Sequence, residues 1–274
     1  MTSHSSMDST AAMKSTGLKI TGLTAGYRRR PVIRDLSLPT FEPGSMVALV
    51  GPNAAGKSTL LRALAGLMKS RGDILLNGGD VTAMPATDRA AAITYMPQSL
   101  PQRVALTVME AVLSALRASP SRGGEDAEAQ RRRAIGALDR LAIGHLALES
   151  LDELSGGQRQ MASLAQAIVR EPRVLLLDEP TSALDLHYQY RVMSRVRELA
   201  RERGIITVVV LHDISLACRW ADRVVVLSRG EIAAVGSPSE AVTPDILARV
   251  YGVEARVETC SRGVLQVLVD NPLL

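Results

Sequence analysis

Aromatic side chains are scarce in this chain: one Trp, one Phe and five Tyr account for 3% of its 274 residues. Without rings to stack on bases, the clusters Arg28-Arg29-Arg30 and Arg131-Arg132-Arg133 do not read as a single-stranded nucleic-acid platform. Solvated faces explain them, and no nucleic-acid partner is expected. Cysteine is almost missing as well: Cys218 and Cys260 are far apart and match no metal-ligand spacing. That excludes a disulfide scaffold and suits a reducing cytosol. No apolar run approaches the ~20 residues that span a bilayer, so the chain reads as soluble or membrane-peripheral. Residues 1–17 are Ser/Thr-rich without an apolar core, which predicts a disordered tail rather than a signal peptide. The net charge of +4 and pI near 9.3 come mostly from Arg and fit either an anionic surface or a bias towards that residue. What is plentiful is apolar content: 46% hydrophobic residues are enough to bury one or two cores.

Val47-Ala48-Leu49-Val50 reads as a short buried strand, and Leu60, Leu61, Leu64 and Leu67 fall at helical spacing. Between them stands Gly51-Pro52-Asn53-Ala54-Ala55-Gly56-Lys57-Ser58-Thr59. Strand, glycine loop and helix together make a phosphate-binding loop. Gly51 and Gly56 allow backbone angles that turn successive N–H groups onto phosphate oxygens, and the helix adds the positive end of its dipole. Lys57 is expected to reach the β- and γ-phosphates, and the Ser58 hydroxyl to ligate Mg²⁺.

Ahead of this loop, residues 18–41 hold β-type segments broken by Gly22, Gly26 and Pro31, an expected antiparallel sheet. Tyr27 at the end of the first segment has a ring suited to covering an adenine. After the loop, residues 72–79 predict a strand and tight turn, and Ala91–Met96 another strand stopped by Pro97. Gln98 then sits in a loop at a strand end, as a candidate ligand of Mg²⁺ or of attacking water. Residues 104–170 turn helical: Thr107 and Glu110 form a capping box, and an Arg-rich helix follows over 127–141. A helical insert in an α/β core suggests a lobe that moves.

Ser155 and Gln158 make a second capping box, with Gly156 and Gly157 between them and an apolar face along Met161, Leu164, Ala165, Ile168 and Val169. The bare helix end suits an anion. One triphosphate already has its cradle at Gly51–Ser58, so this second end is expected to cap a nucleotide held by another subunit. Val174-Leu175-Leu176-Leu177 predicts a strand covered on both faces, which delivers Asp178 and Glu179 to the sheet edge where α/β folds bind ligands. There Asp178 is expected to hold Mg²⁺ and Glu179 to deprotonate water. Asp185 opens a helix over 186–203. The strand 205–211 ends at His212, a candidate γ-phosphate sensor. A strand, turn and strand over 224–232, a helix from Thr243 to Gly252, and two β runs after Val253 complete the reading.

Together these landmarks resemble the ATP-binding cassette family over about residues 18–252, above all through Leu154-Ser155-Gly156-Gly157-Gln158. The resemblance implies a phosphate-loop NTPase core of mostly parallel sheet, an N-terminal antiparallel β subdomain and a helical subdomain inserted over about 99–170. Residues 253–274 would form a small closing β element. It also implies roles: Tyr27 for adenine stacking, Gln98 in the glutamine loop, Glu179 as general base, residues 182–185 as the subunit-contact loop and His212 as the switch. Softer matches, including Leu186-His187, Ala221-Asp222-Arg223 and Tyr251-Gly252-Val253-Glu254, resemble the ATPases of bacterial importers for ferric siderophores, haem or cobalamin. That branch implies a homodimer of cassettes, two permease subunits and an external binding protein, on the cytoplasmic face of the inner membrane. A non-transport cassette ATPase and an exporter ATPase are the alternatives. Ala54 stands where most cassettes carry Gly, and since Ala favours ordinary angles, no positive φ is expected there.

Overall fold

The computed structural model describes residues 16–27, 30–98, 105–118, 126–182 and 184–273. The predicted tail up to residue 15, Arg28-Arg29, the linker at 121–124 and Ala183 lie outside them. The chain opens with β1 (Leu18–Tyr27) and β2 (Arg30–Phe41), then β3 (Met46–Val50) and α1 (Lys57–Leu64). β4 (Ser70–Leu76), β5 (Gly79–Asp80), α2 (Ala86–Ala92) and β6 (Ile93–Met96) follow. β1 does not break at Gly22 and Gly26; it continues through both with register shifts, and Gly26 pairs with Pro31. β2 is an edge strand in the order β2-β1-β4-β5, where a missing proline N–H costs no ladder bond. The strand predicted from Ala91 starts at Ile93 instead, because the preceding alanines, strong helix formers, complete α2.

Three helices come next: α3 (Val108–Arg117), α4 (Ala127–Arg140) and α5 (Gly156–Ile168). Both predicted capping boxes are present, Thr107 with Glu110 on α3 and Ser155 with Gln158 on α5. These helices pack on one another between β6 and β7 (Val174–Asp178), two strands that are parallel neighbours in the sheet. α6 (Leu186–Arg203) is capped by the Asp185 side chain and stopped by Gly204 in the left-handed region. β8 (Ile206–Val210), α7 (Ile214–Trp220), β9 (Arg223–Ser228) and β10 (Glu231–Gly236) lead to α8 (Pro238–Ala241) and α9 (Pro244–Tyr251). β11 (Val253–Thr259) and β12 (Leu265–Pro272) form a two-stranded antiparallel sheet, and β12 packs against α7.

The central sheet runs β10-β9-β3-β8-β7-β6, parallel except for β10. Its strands carry almost no polar residues because both faces are covered. Met46, Ala48 and Val50 point into one core shared with α3 to α7, while Val47 and Leu49 point into a second core with α1 and the antiparallel sheet. Asp222 fastens the sheet from below: it accepts from the Met46 N–H at 2.8 Å and pairs with Arg197. Both guanidinium hydrogen bonds reach the same carboxylate. The sheet thereby holds the ends of β3, β7 and β8 side by side, and the chemically competent residues follow those ends.

Candidate active site

β3 runs straight into the phosphate loop, and the two flanking glycines are required there. Gly51 has φ 149, and a Cβ on it would lie 2.1 Å from the Leu227 carbonyl oxygen. Gly56 has φ 107, with Ile33 Cδ1 2.8 Å from any added Cβ. Ala54 corrects the sequence expectation: it adopts φ 61, in the left-handed region. The loop has to reverse direction at that point, and the bonds from Ala55 N–H to Pro52 O and from Gly230 N–H to Ala55 O hold its next residue in place. Strain of roughly 1–2 kcal/mol is the consequence.

No side chain caps α1 at Gly56, so its first-turn N–H groups are left for an anion. Lys57 is buried and donates from Nζ to the carbonyl oxygens of Gly51 at 2.7 Å and Pro52 at 3.0 Å. Burial holds its pKa below the ordinary lysine value, opposed by the negative charges of Glu179 and Asp178. The loop encloses a cavity of about 310 Å³ lined by Val32, residues 53–59 and Glu179.

Across the loop, Asp178 is buried at the end of β7 and both its oxygens are held. Ser58 Oγ donates to Oδ1 at 2.9 Å, and the Tyr95 hydroxyl donates to Oδ2 at 2.8 Å. Serine hydroxyl and carboxylate are hard oxygen donors of the kind Mg²⁺ takes. Among the described residues no group of three or more His, Cys, Asp or Glu could hold a metal ion. These two protein oxygens fit a cation that takes its remaining oxygens from elsewhere.

Glu179, the next residue, has φ 52, a strained conformation typical of functional positions. Gln98 Nε2 donates to its Oε2 at 2.5 Å, and His212 Nε2 lies 2.6 Å from its Oε1. Sequence reasoning expected Gln98, Glu179 and His212 around one phosphate and its water; the fold places Gln98 and His212 directly on the Glu179 carboxylate. Tyr27 is half exposed, and its hydroxyl accepts from Arg62 NH1 at 3.2 Å. Arg62 and Tyr95 were missed as site residues. The only available signal was spacing, since Arg62 lies one turn beyond Ser58 on the same face of α1.

Ser155, Gly156, Gly157 and Gln158 take no part in the phosphate-loop cavity. Among the described residues nothing stands within 4 Å of a Cβ built on Gly156, whereas Gly157 lies against the Tyr188 ring. Asp185 is likewise outside the cavity and accepts from the Tyr188 N–H as a helix cap. A second cavity, of about 410 Å³, opens between the end of β6 and the helices, lined by Met96, Pro97, Leu106, Ala111, Arg159 and Arg170 among others.

Residues 33–182 match the family model described as ABC transporter. The chain belongs to the ABC transporter family. It is 36% identical over 249 residues to the hemin import ATP-binding protein HmuV of Bordetella pertussis, covering 88% of this chain and 94% of that protein. It is also 36% identical over 248 residues to the ferric enterobactin transport ATP-binding protein FepC of Escherichia coli, covering 86% and 87%. Among solved structures, an inward-facing ABC transporter assigned to the metal-chelate type aligns with TM-score 0.78 and 26% identity, over 95% of this chain and 98% of that one. The dimeric ABC transporter cassette MJ0796 aligns with TM-score 0.70 and 27% identity, over 81% and 98%. As an ABC ATP-binding protein the chain is an ATPase. Its fold is the α/β cassette expected from sequence. Among the described residues, no helix of the cassette is long and apolar enough to cross a membrane.

Proposed function

We propose that this cassette hydrolyses ATP to drive a bacterial importer for a ferric siderophore, or for haem or cobalamin. The observation that carries the hydrolytic part is the Glu179 carboxylate at the mouth of the phosphate-loop cavity, gripped by Gln98 and His212. A carboxylate fixed on both oxygens, beside a loop built for a triphosphate, is suited to take a proton from water as that water attacks the γ-phosphorus. ADP then leaves. Gln98 and His212 hold the base in line. Lys57 and the free N–H groups of α1 bind the phosphates, and Tyr27 stacks on the adenine. Asp178 and Ser58 would hold Mg²⁺, which neutralises phosphate charge when bound.

Ser155–Gln158 stands apart from its own chain's cavity, which supports a head-to-tail homodimer where it closes over the partner's nucleotide. Residues 18–252 would be the moving cassette, with 99–170 as its lobe and 253–274 as the closing β element. The groove beside Pro97 and Leu106 would receive a cytoplasmic segment of two permease subunits; it belongs to the stretch Gln98 to Leu116, of which residues 99–104 lie outside the described ones. An external binding protein would deliver the cargo, and the cassette would sit peripherally on the inner membrane. The cargo class is supported by the names of the hemin and ferric enterobactin relatives. The test is uptake of labelled ferric siderophore, haem and cobalamin by a deletion strain. Loss of one of the three, restored by the parent gene but not by Glu179→Gln, is expected. Unchanged uptake of all three would refute the reading.

A further inference from the structure

Two side chains join the base end of the site to its metal end. Arg62 donates from NH1 to the Tyr27 hydroxyl at 3.2 Å and from Nε to the Tyr95 hydroxyl at 3.4 Å. Tyr95 donates in turn to Asp178 Oδ2 at 2.8 Å, and Ser58 closes the line on Oδ1 at 2.9 Å. Each link conditions the next, because a cation donating to a phenol oxygen makes that phenol a stronger donor. At one end Asp178 is buried and held on both oxygens. At the other, Tyr27 and Arg62 are exposed, free to be ordered by a flat ring.

We propose that Tyr95 and Arg62 are positioning residues. Tyr95 presets the Asp178 carboxylate for a divalent cation, and Arg62 couples a base on Tyr27 to that carboxylate. The inference rests on the ATP-site reading above and adds a coupling to it. Since coupling is reciprocal, the divalent ion should bind more tightly beside a nucleoside triphosphate than beside inorganic tripolyphosphate.

The experiment uses the full chain with Mn²⁺ as the cation, counting protein-bound Mn²⁺ by electron paramagnetic resonance with ATP or with tripolyphosphate. The affinity of a fluorescent ATP analogue in EDTA is measured in parallel. Tyr95→Phe is expected to weaken Mn²⁺ about tenfold with either ligand, the worth of one hydrogen bond to a charged group, and to leave the EDTA affinity unchanged. Arg62→Met should erase the advantage of ATP over tripolyphosphate, and Arg62→Lys should restore part of it. Parent-like Mn²⁺ affinity in Tyr95→Phe, or a preserved ATP advantage in Arg62→Met, would overturn the inference while leaving the ATP site intact. Loss of analogue binding in EDTA by Tyr95→Phe would also overturn it, by showing that Tyr95 supports the loop itself. A parent chain that binds no ATP with or without metal would end both readings together.

Discussion

Ala54→Gly isolates a single backbone effect in the phosphate loop. Ala54 has φ 61 and its side chain is exposed, so removing the methyl group sacrifices no buried contact. Leaving the left-handed region to a residue without Cβ relieves roughly 1–2 kcal/mol. Against this, glycine makes the unfolded chain more flexible, which takes back about 0.4–1 kcal/mol. The balance is a stabilisation of about 0.5–1 kcal/mol, or a rise in melting temperature of about 1–4 °C for a chain of this size. Denaturant unfolding of the nucleotide-free protein at constant m-value is the assay, because a shifted midpoint then reports stability alone. Ala54→Val should move the other way by about 1 kcal/mol or more, since a β-branched residue at positive φ is a steric outlier. If glycine lowers the midpoint, or valine leaves it in place, the strain assigned to this position is not there.

Three other perturbations test the site and its support. Glu179→Gln keeps an oxygen for Gln98 but cannot take a proton from water; turnover should fall by about 10²–10⁴-fold with ATP still bound, read by phosphate release and by gel filtration of a trapped dimer. Lys57→Ala removes the buried ammonium and should weaken ATP by about a hundredfold, measured with a fluorescent analogue. Burial raises the Asp222 pKa, but Arg197 and the Met46 N–H more than reverse this, so its carboxyl sits below the usual range. Its stabilising contribution is therefore complete above the unfolded value of about 3.9 and is lost as pH falls through the folded one. The Asp222 side chain is partly exposed and solvent screens the pair, so Asp222→Asn should cost about 1 kcal/mol or less at neutral pH, and the gap from the parent should close in acid, as followed by thermal unfolding.

Much of this site could be read from the chain because its parts are local. A glycine loop between strand and helix, a capping box, and an acidic pair after an all-apolar strand each act through neighbouring residues, and the structure keeps Gly51, Gly56, Ser155 and Gln158 in the conformations those patterns imply. Strand continuity through Gly22 and Gly26 was not legible, because pairing with two neighbours outweighs local preference. Nor was the left-handed Ala54. Propensity describes what an alanine favours in isolation, while loop closure against Gly230 sets what it must adopt.

The order of residues along the chain determined the family, the glycine loop between strand and helix and the identity of the acidic pair, since all three are written in short motifs. Tertiary structure alone decided which groups meet. Gln98 and His212 are far from each other in sequence yet converge on Glu179, because parallel strands place their carboxyl ends along one sheet edge. Packing of α1 on the sheet likewise brings Arg62 to Tyr95, and the neighbouring strands bring Tyr95 to Asp178, a line of hydrogen bonds between separate elements.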